Sequence, residues 1–91
     1  MNYKIIRTDE YFKKLKRFIK RHPDMLNRYI KTIEILEVNP HHPSLRLHKL
    51  KGKLDEFYSI SINMEYRVII DFIIRNNEII PINIGTYDEV Y

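Results

Sequence analysis

The most apolar stretch of the chain covers residues 66–74 and reads YRVIIDFII. It is rich in β-branched residues and far too short to span a membrane, which predicts a strand in the middle of a sheet. Because side chains alternate between the two faces of a strand, one face should be entirely apolar and belong to the core. The other face carries Arg67 and Asp71. We expect Arg67 to stand on an open, cationic face of the sheet, where its guanidinium could grip an oxyanion in two places.

Residues 2–7 predict a short first strand, and a strongly basic amphipathic helix follows it. Thr8 is a favourable N-cap, with Asp9 and Glu10 in the first turn, where the helix dipole favours anions. Lysines and arginines fill the positions between apolar residues that recur every three or four residues. This basic face is either solvated or a surface that steers the protein toward nucleic acid. The expected apolar stripe consists of Tyr11, Phe12, Leu15, Phe18 and Ile19.

Proline marks both ends of the next predicted helix. Pro23 breaks the first helix but fits the first turn of a second one. Asn39, just before Pro40, is expected to end that helix as a left-handed cap. The short loop between the two helices implies an antiparallel hairpin. The expected buried stripe of the second helix consists of Leu26, Tyr29, Ile30, Ile33 and Leu36.

Four strands are predicted in the second half of the chain, over residues 45–50, 57–62, 66–74 and 78–84. A turn around Gly52 follows the first of them. Pro81 predicts an edge strand or a bulge, and Gly85 with Thr86 is expected to end the last strand. The element order predicts an α+β fold: an N-terminal strand, an antiparallel αα-hairpin, then a four-stranded antiparallel meander with the helices on one face. The first strand should join the sheet at an edge.

The apolar faces of the two middle strands predict their register. Ile62 should face Tyr66 and Ile60 should face Val68, because a slip of one residue would turn every side chain to the other face. Ser61 is then the cross-strand neighbour of Arg67. A small neighbour leaves room for a ligand beside the guanidinium.

Composition narrows the class of protein. The 91 residues suit a single domain over residues 1–91, and the absence of cysteine excludes disulfides, thiol catalysis and cysteine-ligated zinc. A net charge of +4 favours a polyanionic or acidic partner. We recognise neither a signal peptide nor a membrane span, so we expect a cytoplasmic protein with no role in a membrane. His41 and His42 lie side by side in a turn with no third ligand at chelating spacing, so we expect neither a metal nor another cofactor.

One reaction that such a face could support without metal or thiol is RNA cleavage by the neighbouring 2′-hydroxyl. The reaction needs a base, a cation for the crowded phosphate and an acid for the leaving 5′-oxygen. Each candidate also has an ordinary structural or solvated alternative. Arg67 is the candidate for the cation, and His48 or Glu65 is the candidate for the base. Lys49 and Lys51 could hold the phosphates, and Tyr87 could act as the acid or stack on an RNA base.

Three segments of the chain, HPSLRLHKLKGKL, FYSISINMEYRVIIDF and IGTYDEVY, together resemble toxins of the RelE/ParE superfamily, particularly its RelE/StbE and YafQ-like branch. The resemblance covers nearly the whole chain and the order of its elements. It implies a toxin of a bacterial toxin–antitoxin pair, a metal-independent mRNA interferase that enters the A site of the 30S ribosomal subunit and cuts mRNA there. It also implies a cognate antitoxin as partner and a toxin–antitoxin hetero-oligomer.

The resemblance also assigns roles by position. It places the family's catalytic residues on Arg67, His48 and Tyr87, while Tyr91 matches a terminal aromatic residue. YafQ-like relatives have histidine where this chain has Ser61 and usually also at the position of Tyr87, so the general acid would be a tyrosine and the base stays open. The residues expected to bind substrate are Lys49, Lys51, Ser61, Glu65 and Tyr91.

Two other functions remain open. A ParE-like protein would inhibit DNA gyrase without cutting RNA, although His48 and Arg67 would then have no chemical role. A degenerate homologue would bind an antitoxin and be harmless when expressed alone.

Overall fold

The computed structural model describes residues 2–73 and 76–90, and for residues 72 and 73 the backbone alone. Short 3-10 turns at Pro23–Met25, Pro43–Leu45 and Gly52–Leu54 connect its main elements. None of the helices within this part of the chain is long and apolar enough to cross a membrane. The main elements are β1 (Lys4–Ile5), α1 (Asp9–Arg21), α2 (Leu26–Val38), β2 (His48–Lys49), β3 (Tyr58–Ser61), β4 (Tyr66–Ile73), β5 (Glu78–Thr86) and α3 (Tyr87–Val90).

The helical hairpin begins as predicted but ends differently. The Thr8 hydroxyl accepts a hydrogen bond from the Tyr11 N–H at 3.1 Å, which caps α1. Asn39 follows α2 in an extended conformation, with φ −152° and ψ 93°, so the predicted left-handed cap is wrong. The reason is Pro40, because a residue before proline is forced toward extended backbone. A left-handed residue occurs instead at Arg46, with φ 49°.

The two helices bury a narrower set of residues than their periodicity predicts. Tyr11 and Tyr29 face each other in the core with their hydroxyls 3.0 Å apart, and burial raises the pKa of both phenols. This contact fixes which side of each helix faces the sheet. Phe12, Leu26 and Ile30 were expected inside and are instead exposed by 51%, 43% and 47%. The fully buried helix positions are Tyr11, Phe18, Tyr29, Thr32, Ile33 and Leu36.

The five strands form one sheet in the order β1-β5-β4-β3-β2. The last four form the predicted antiparallel meander, and β1 lies parallel to β5 at the edge. The predicted register is confirmed, since Ile60 pairs with Val68 and Ser61 with Arg67. β4 ends at Ile73, and the last residue predicted for it, Ile74, lies outside the described residues.

Several strand lengths differ from the prediction. β1 covers Lys4–Ile5 rather than residues 2–7, and β3 covers Tyr58–Ser61 rather than residues 57–62. Only His48–Lys49 of the segment 45–50 is a strand, because the 3-10 turn and the left-handed Arg46 occupy the residues before it. β5 does not end at Ile84: Gly85 and Thr86 continue it as cross-strand partners of Arg67 and Tyr66. The bulge predicted at Pro81 is confirmed by the register shift opposite Ile69 and Ile70. Proline has no N–H to donate to the ladder, which suits it to an irregular position.

A hydrophobic core lies on each side of the sheet. The main core lies between the helical hairpin and the face of β4 that carries Tyr66, Val68 and Ile70. The opposite face was expected to be open, and the structure corrects this. A second core of buried residues lies on it, because the loop after β2 and helix α3 both fold over β4. This second core consists of Leu50, Ile69 and Val90, with Leu54, Phe57 and Ile82 packed against it.

Candidate active site

A groove of about 420 Å³ runs along the second core, and we call it the lysine groove. β2 and the 3-10 turn after it form one wall, and the first residue of α3 forms the other. The groove brings four of the predicted site residues together: His48, Lys49, Lys51 and Tyr87. Its lining residues are His48, Lys49, Leu50, Lys51, Lys53, Leu54 and Tyr87.

Arg67 lies next to this groove on β4. Its cross-strand neighbours are Ser61 on β3 and Gly85 on β5, so no large side chain crowds it from either strand. The central guanidinium carbon lies 6.0 Å from the centre of the Tyr87 ring. Its Nε is buried and has no hydrogen-bond partner among the described residues. A buried N–H without a partner costs about 1–3 kcal/mol, so the fold carries this cost at Arg67 rather than using the Nε to hold the strands together.

Tyr87 reaches Arg67 because α3 folds back over the sheet. The sequence Thr86-Tyr87-Asp88-Glu89 forms a capping box: the Thr86 N–H donates to Glu89 Oε1 at 2.8 Å, and the Glu89 N–H donates to Thr86 Oγ1 at 3.3 Å. Val90 anchors the other end of the helix in the second core. Tyr87 is 56% exposed and lines the lysine groove, so its side chain can contact a ligand there.

The tautomer of His48 follows from its backbone contact. Its Nδ1 lies 3.1 Å from the carbonyl oxygen of Arg46. A carbonyl oxygen can only accept, so Nδ1 carries the hydrogen and donates it. In the neutral ring with this tautomer, the lone pair lies on Nε2. The left-handed backbone of Arg46 turns its carbonyl to this position.

Lys53 lines the lysine groove, although it was not among the predicted site residues. Gly52 has φ +75°, a conformation that suits glycine, and the turn there brings Lys53 to the groove beside Lys51. The Lys-Gly-Lys pattern in the sequence predicted a turn, but it did not predict which lysine would line the groove.

Ser61 and Glu65 do not line the lysine groove. Ser61 is only 6% exposed, and its hydroxyl donates to the Asn63 carbonyl, so it is the small neighbour of Arg67 but has its hydrogen committed locally. It lines a separate groove against α2. Glu65 is exposed in the β3–β4 loop beside Tyr66, whose pKa is raised by burial and by the Glu65 carboxylate. Tyr91 lies outside the described residues.

The two adjacent histidines have structural contacts. His42 accepts a hydrogen bond at Nδ1 from the Ser44 N–H at 3.1 Å, which begins the 3-10 turn before β2. The described part of the chain contains no group of three or more histidine, cysteine or acidic residues that could hold a metal ion.

The chain belongs to the HigB-like toxin family. The family's sequence profile, described as the RelE-like toxin of the type II toxin–antitoxin system HigB, matches residues 4–86. The protein is therefore a RelE-family toxin of a type II toxin–antitoxin system, which confirms the predicted superfamily. No curated protein sequence matches the chain.

Solved structures of similar toxins share this fold. The crystal structure of YafQ from E. coli has a TM-score of 0.79 at 19% identity, with 98% of each chain covered. A metal-bound toxin from Helicobacter pylori has a TM-score of 0.78 at 23% identity over 100% of both chains. The E. coli DinJ-YafQ toxin–antitoxin complex has a TM-score of 0.78 at 19% identity, covering 100% of this chain and 99% of the other. These likenesses confirm the predicted α+β architecture.

Proposed function

We propose that this toxin is a ribosome-dependent endoribonuclease that cleaves mRNA without a metal. The attacking group is the 2′-hydroxyl of the RNA next to the cleaved bond. RelE-like toxins are generally endoribonucleases. The observation that carries the proposal is the Arg67 guanidinium 6.0 Å from the Tyr87 ring, next to a groove lined by His48 and three lysines. Together they supply a cation, a phenol and an imidazole for one phosphodiester.

The reaction uses each of these groups once. Nε2 of His48 takes the proton from the 2′-hydroxyl, and the 2′-oxygen attacks the neighbouring phosphorus. The Arg67 guanidinium stabilises the negative charge that builds up on the phosphate oxygens. The Tyr87 hydroxyl gives its proton to the 5′-oxygen as the bond from phosphorus to that oxygen breaks. The products are a 2′,3′-cyclic phosphate and a 5′-hydroxyl.

The lysines of the groove bind the phosphates on either side of the cleaved bond. Lys49, Lys51 and Lys53 are all exposed, so their ammonium groups can follow the backbone of a single RNA strand. Such contacts position the RNA without reading its sequence. We infer that the ribosomal A site presents the mRNA in this extended form.

We also propose a cognate antitoxin as the partner that controls this activity. The related YafQ has been crystallised in complex with DinJ, a toxin–antitoxin pair. An acidic antitoxin segment laid along the lysine groove would neutralise its charge and exclude RNA. The two proteins would form a hetero-oligomer in the cytoplasm, with residues 1–91 of the toxin as one domain.

Mapping of mRNA ends on translating ribosomes tests the nuclease. We expect cleavage by the wild type and its loss in Arg67→Ala and Tyr87→Phe, while Arg17→Ala, the same loss of charge on an exposed part of α1, still cleaves. Absence of cleavage by the wild type would overturn the proposal. A supercoiling assay with purified gyrase then separates a ParE-like inhibitor from an inactive homologue.

A further inference from the structure

Tyr87 lies on a short helix whose first turn is closed by an acidic side chain. Tyr87 is 56% exposed and is the first residue of α3, so its position depends on the backbone of that helix. That backbone is the first turn of α3, whose capping box joins the Thr86 N–H to the Glu89 carboxylate at 2.8 Å. The reciprocal bond, from the Glu89 N–H to the Thr86 hydroxyl, is 3.3 Å long.

Glu89 also lies against the strand that supports Arg67. A Cβ atom at Gly85 would lie 3.0 Å from Glu89 Oε1 and 3.2 Å from Glu89 Cβ, so the Glu89 side chain occupies the space that glycine leaves. Gly85 is the cross-strand partner of Arg67. The same carboxylate therefore contacts the β5 residue opposite Arg67 and fixes the helix that carries Tyr87.

The charge of Glu89 is stabilised where it lies. Hydrogen bonds from Thr86 lower the pKa of the carboxyl, and the nearby Arg21 and His22 lower it further. These two residues lie at the C-terminal end of α1, and together with Glu89 they line a cleft on the helical side of α3. The carboxylate thus bonds α3 to the last residue of β5 and shares a cleft with the end of the first helix.

We propose that Glu89 is a positioning residue that holds the Tyr87 ring against the Arg67 guanidinium by accepting the Thr86 N–H. The effect of Glu89 on RNA cleavage rests on the proposed function, but its effect on the position of the Tyr87 ring does not. Replacing the carboxylate removes the acceptor, and α3 then loses its fixed angle to β5 although Val90 still packs in the second core.

The first test measures the ring directly. The purified toxin is labelled with fluorotyrosine at its seven tyrosines, and the Tyr87 fluorine signal is assigned by its loss in Tyr87→Phe. We expect Glu89→Ala to move this signal to the value of an exposed tyrosine. Glu89→Gln should leave it in place, because the amide oxygen can accept the same hydrogen bond. Asp88→Ala, the neighbouring acidic residue outside the capping box, is the matched control and should also leave it unchanged.

Two results would overturn the inference. One is an unmoved Tyr87 signal in Glu89→Ala, and the other is an equal displacement in Glu89→Gln. The remaining tyrosine signals report whether each variant is folded. Should Glu89→Ala fail to fold, Glu89→Asp keeps the charge but is one methylene shorter, and it should displace the same signal by losing the bond to Thr86.

The second test measures the consequence for catalysis. A misplacement of about 1 Å can reduce a rate by about a hundredfold, so we expect Glu89→Ala to lower kcat by roughly tenfold to a hundredfold. KM should stay unchanged because the lysines of the groove are intact, and Glu89→Gln should restore kcat. A wild type that cuts no RNA would refute the proposed function, while the fluorine signal would still decide the role of Glu89. A change in KM alone would contradict the positioning role.

Discussion

Arg67→Met should make the protein inactive and more stable at the same time. Methionine keeps an unbranched apolar chain of similar length but removes the guanidinium. Since the buried Nε of Arg67 has no hydrogen-bond partner among the described residues, the folded state loses no hydrogen bond from that atom. Removing an uncompensated buried donor should instead relieve its desolvation penalty.

The magnitude follows from two opposing terms. An unsatisfied buried donor costs about 1–3 kcal/mol, which the substitution recovers. The guanidinium lies 6.0 Å from the Tyr87 ring centre, and losing a cation–π contact at an accessible site costs about 0.5–1 kcal/mol. The free energy of unfolding should therefore rise by about 0–2.5 kcal/mol. Each kcal/mol raises Tm by about 4–8 °C in a domain of this size. Cleavage should fall by about a hundredfold to a thousandfold, as when an enzyme loses an oxyanion donor.

Arg28→Met provides the matched control. Arg28 Nε donates to the carbonyl of Ile62 at 3.1 Å, so this substitution breaks a hydrogen bond and should lower the free energy of unfolding by about 1 kcal/mol. Urea denaturation of both variants and the wild type measures the difference. Destabilisation of Arg67→Met by as much as Arg28→Met would refute the reasoning, because it would show that Arg67 is there to hold the fold together.

Three further predictions concern the second core, the capping box and the RNA. Leu50→Ala should lower the free energy of unfolding by about 2–4 kcal/mol, and an unchanged urea midpoint would mean that the second core contributes nothing. The pKa of Glu89 is lower in the folded state than its ordinary value of 4.5. The ionised carboxylate therefore stabilises the folded state fully above pH 4.5, and this contribution is lost as the pH falls through the folded-state pKa. Urea titrations from acid to neutral pH should show the difference between wild type and Glu89→Gln shrinking at low pH, and a constant difference would contradict this. Finally, the affinity of the Arg67→Ala variant for single-stranded RNA should fall with salt. If about six phosphates are engaged, binding should be about a thousandfold weaker at roughly 200 mM than at roughly 50 mM salt. An affinity that does not change with salt would exclude a phosphate-dominated contact.

Features that depend on local chemistry could be predicted from the sequence. Thr8 begins a helix because its hydroxyl caps the N–H three residues later, which no distant contact has to support. The pairing of Ser61 with Arg67 follows from the period of two in adjacent strands joined by a short loop. The bulge near Pro81 follows in the same way, because proline lacks a backbone donor.

Features that depend on distant contacts could not be predicted. Phe12 is more apolar than Tyr11, yet Tyr11 is the buried one, and its hydroxyl contacts that of Tyr29 on the second helix. Helix α3 covers four residues, too few for periodicity to reveal, and its Val90 packs with Leu50, a residue distant in the sequence, in the second core. The second core was missed for the same reason.

The residues of the candidate site also differ in whether local sequence or distant contacts determine their place. His48, Lys49 and Lys51 could be named because they are close together in the sequence. Tyr87 was named for its phenol, which could donate a proton or stack on a base, and the resemblance to a family then assigned it the same position. Lys53 was missed because the backbone at Gly52 determines its direction. Ser61 was placed correctly beside Arg67, but the hydrogen bond of its hydroxyl to Asn63 depends on the shape of the following loop.

The parallel pairing of β1 with β5 places Ile5 beside Ile79, so the first and the last strand must both be present to complete the sheet. The lysine groove likewise needs both His48 and Tyr87. A nascent chain therefore emerges with its first segment unpaired and can close neither the sheet nor the groove until its last strand has left the exit tunnel. A half-made copy lacks the phenol and the buried guanidinium in their final places. Under the proposed function, the ribosome that synthesises this toxin therefore meets no assembled active site before β5 and Tyr87 have left the exit tunnel.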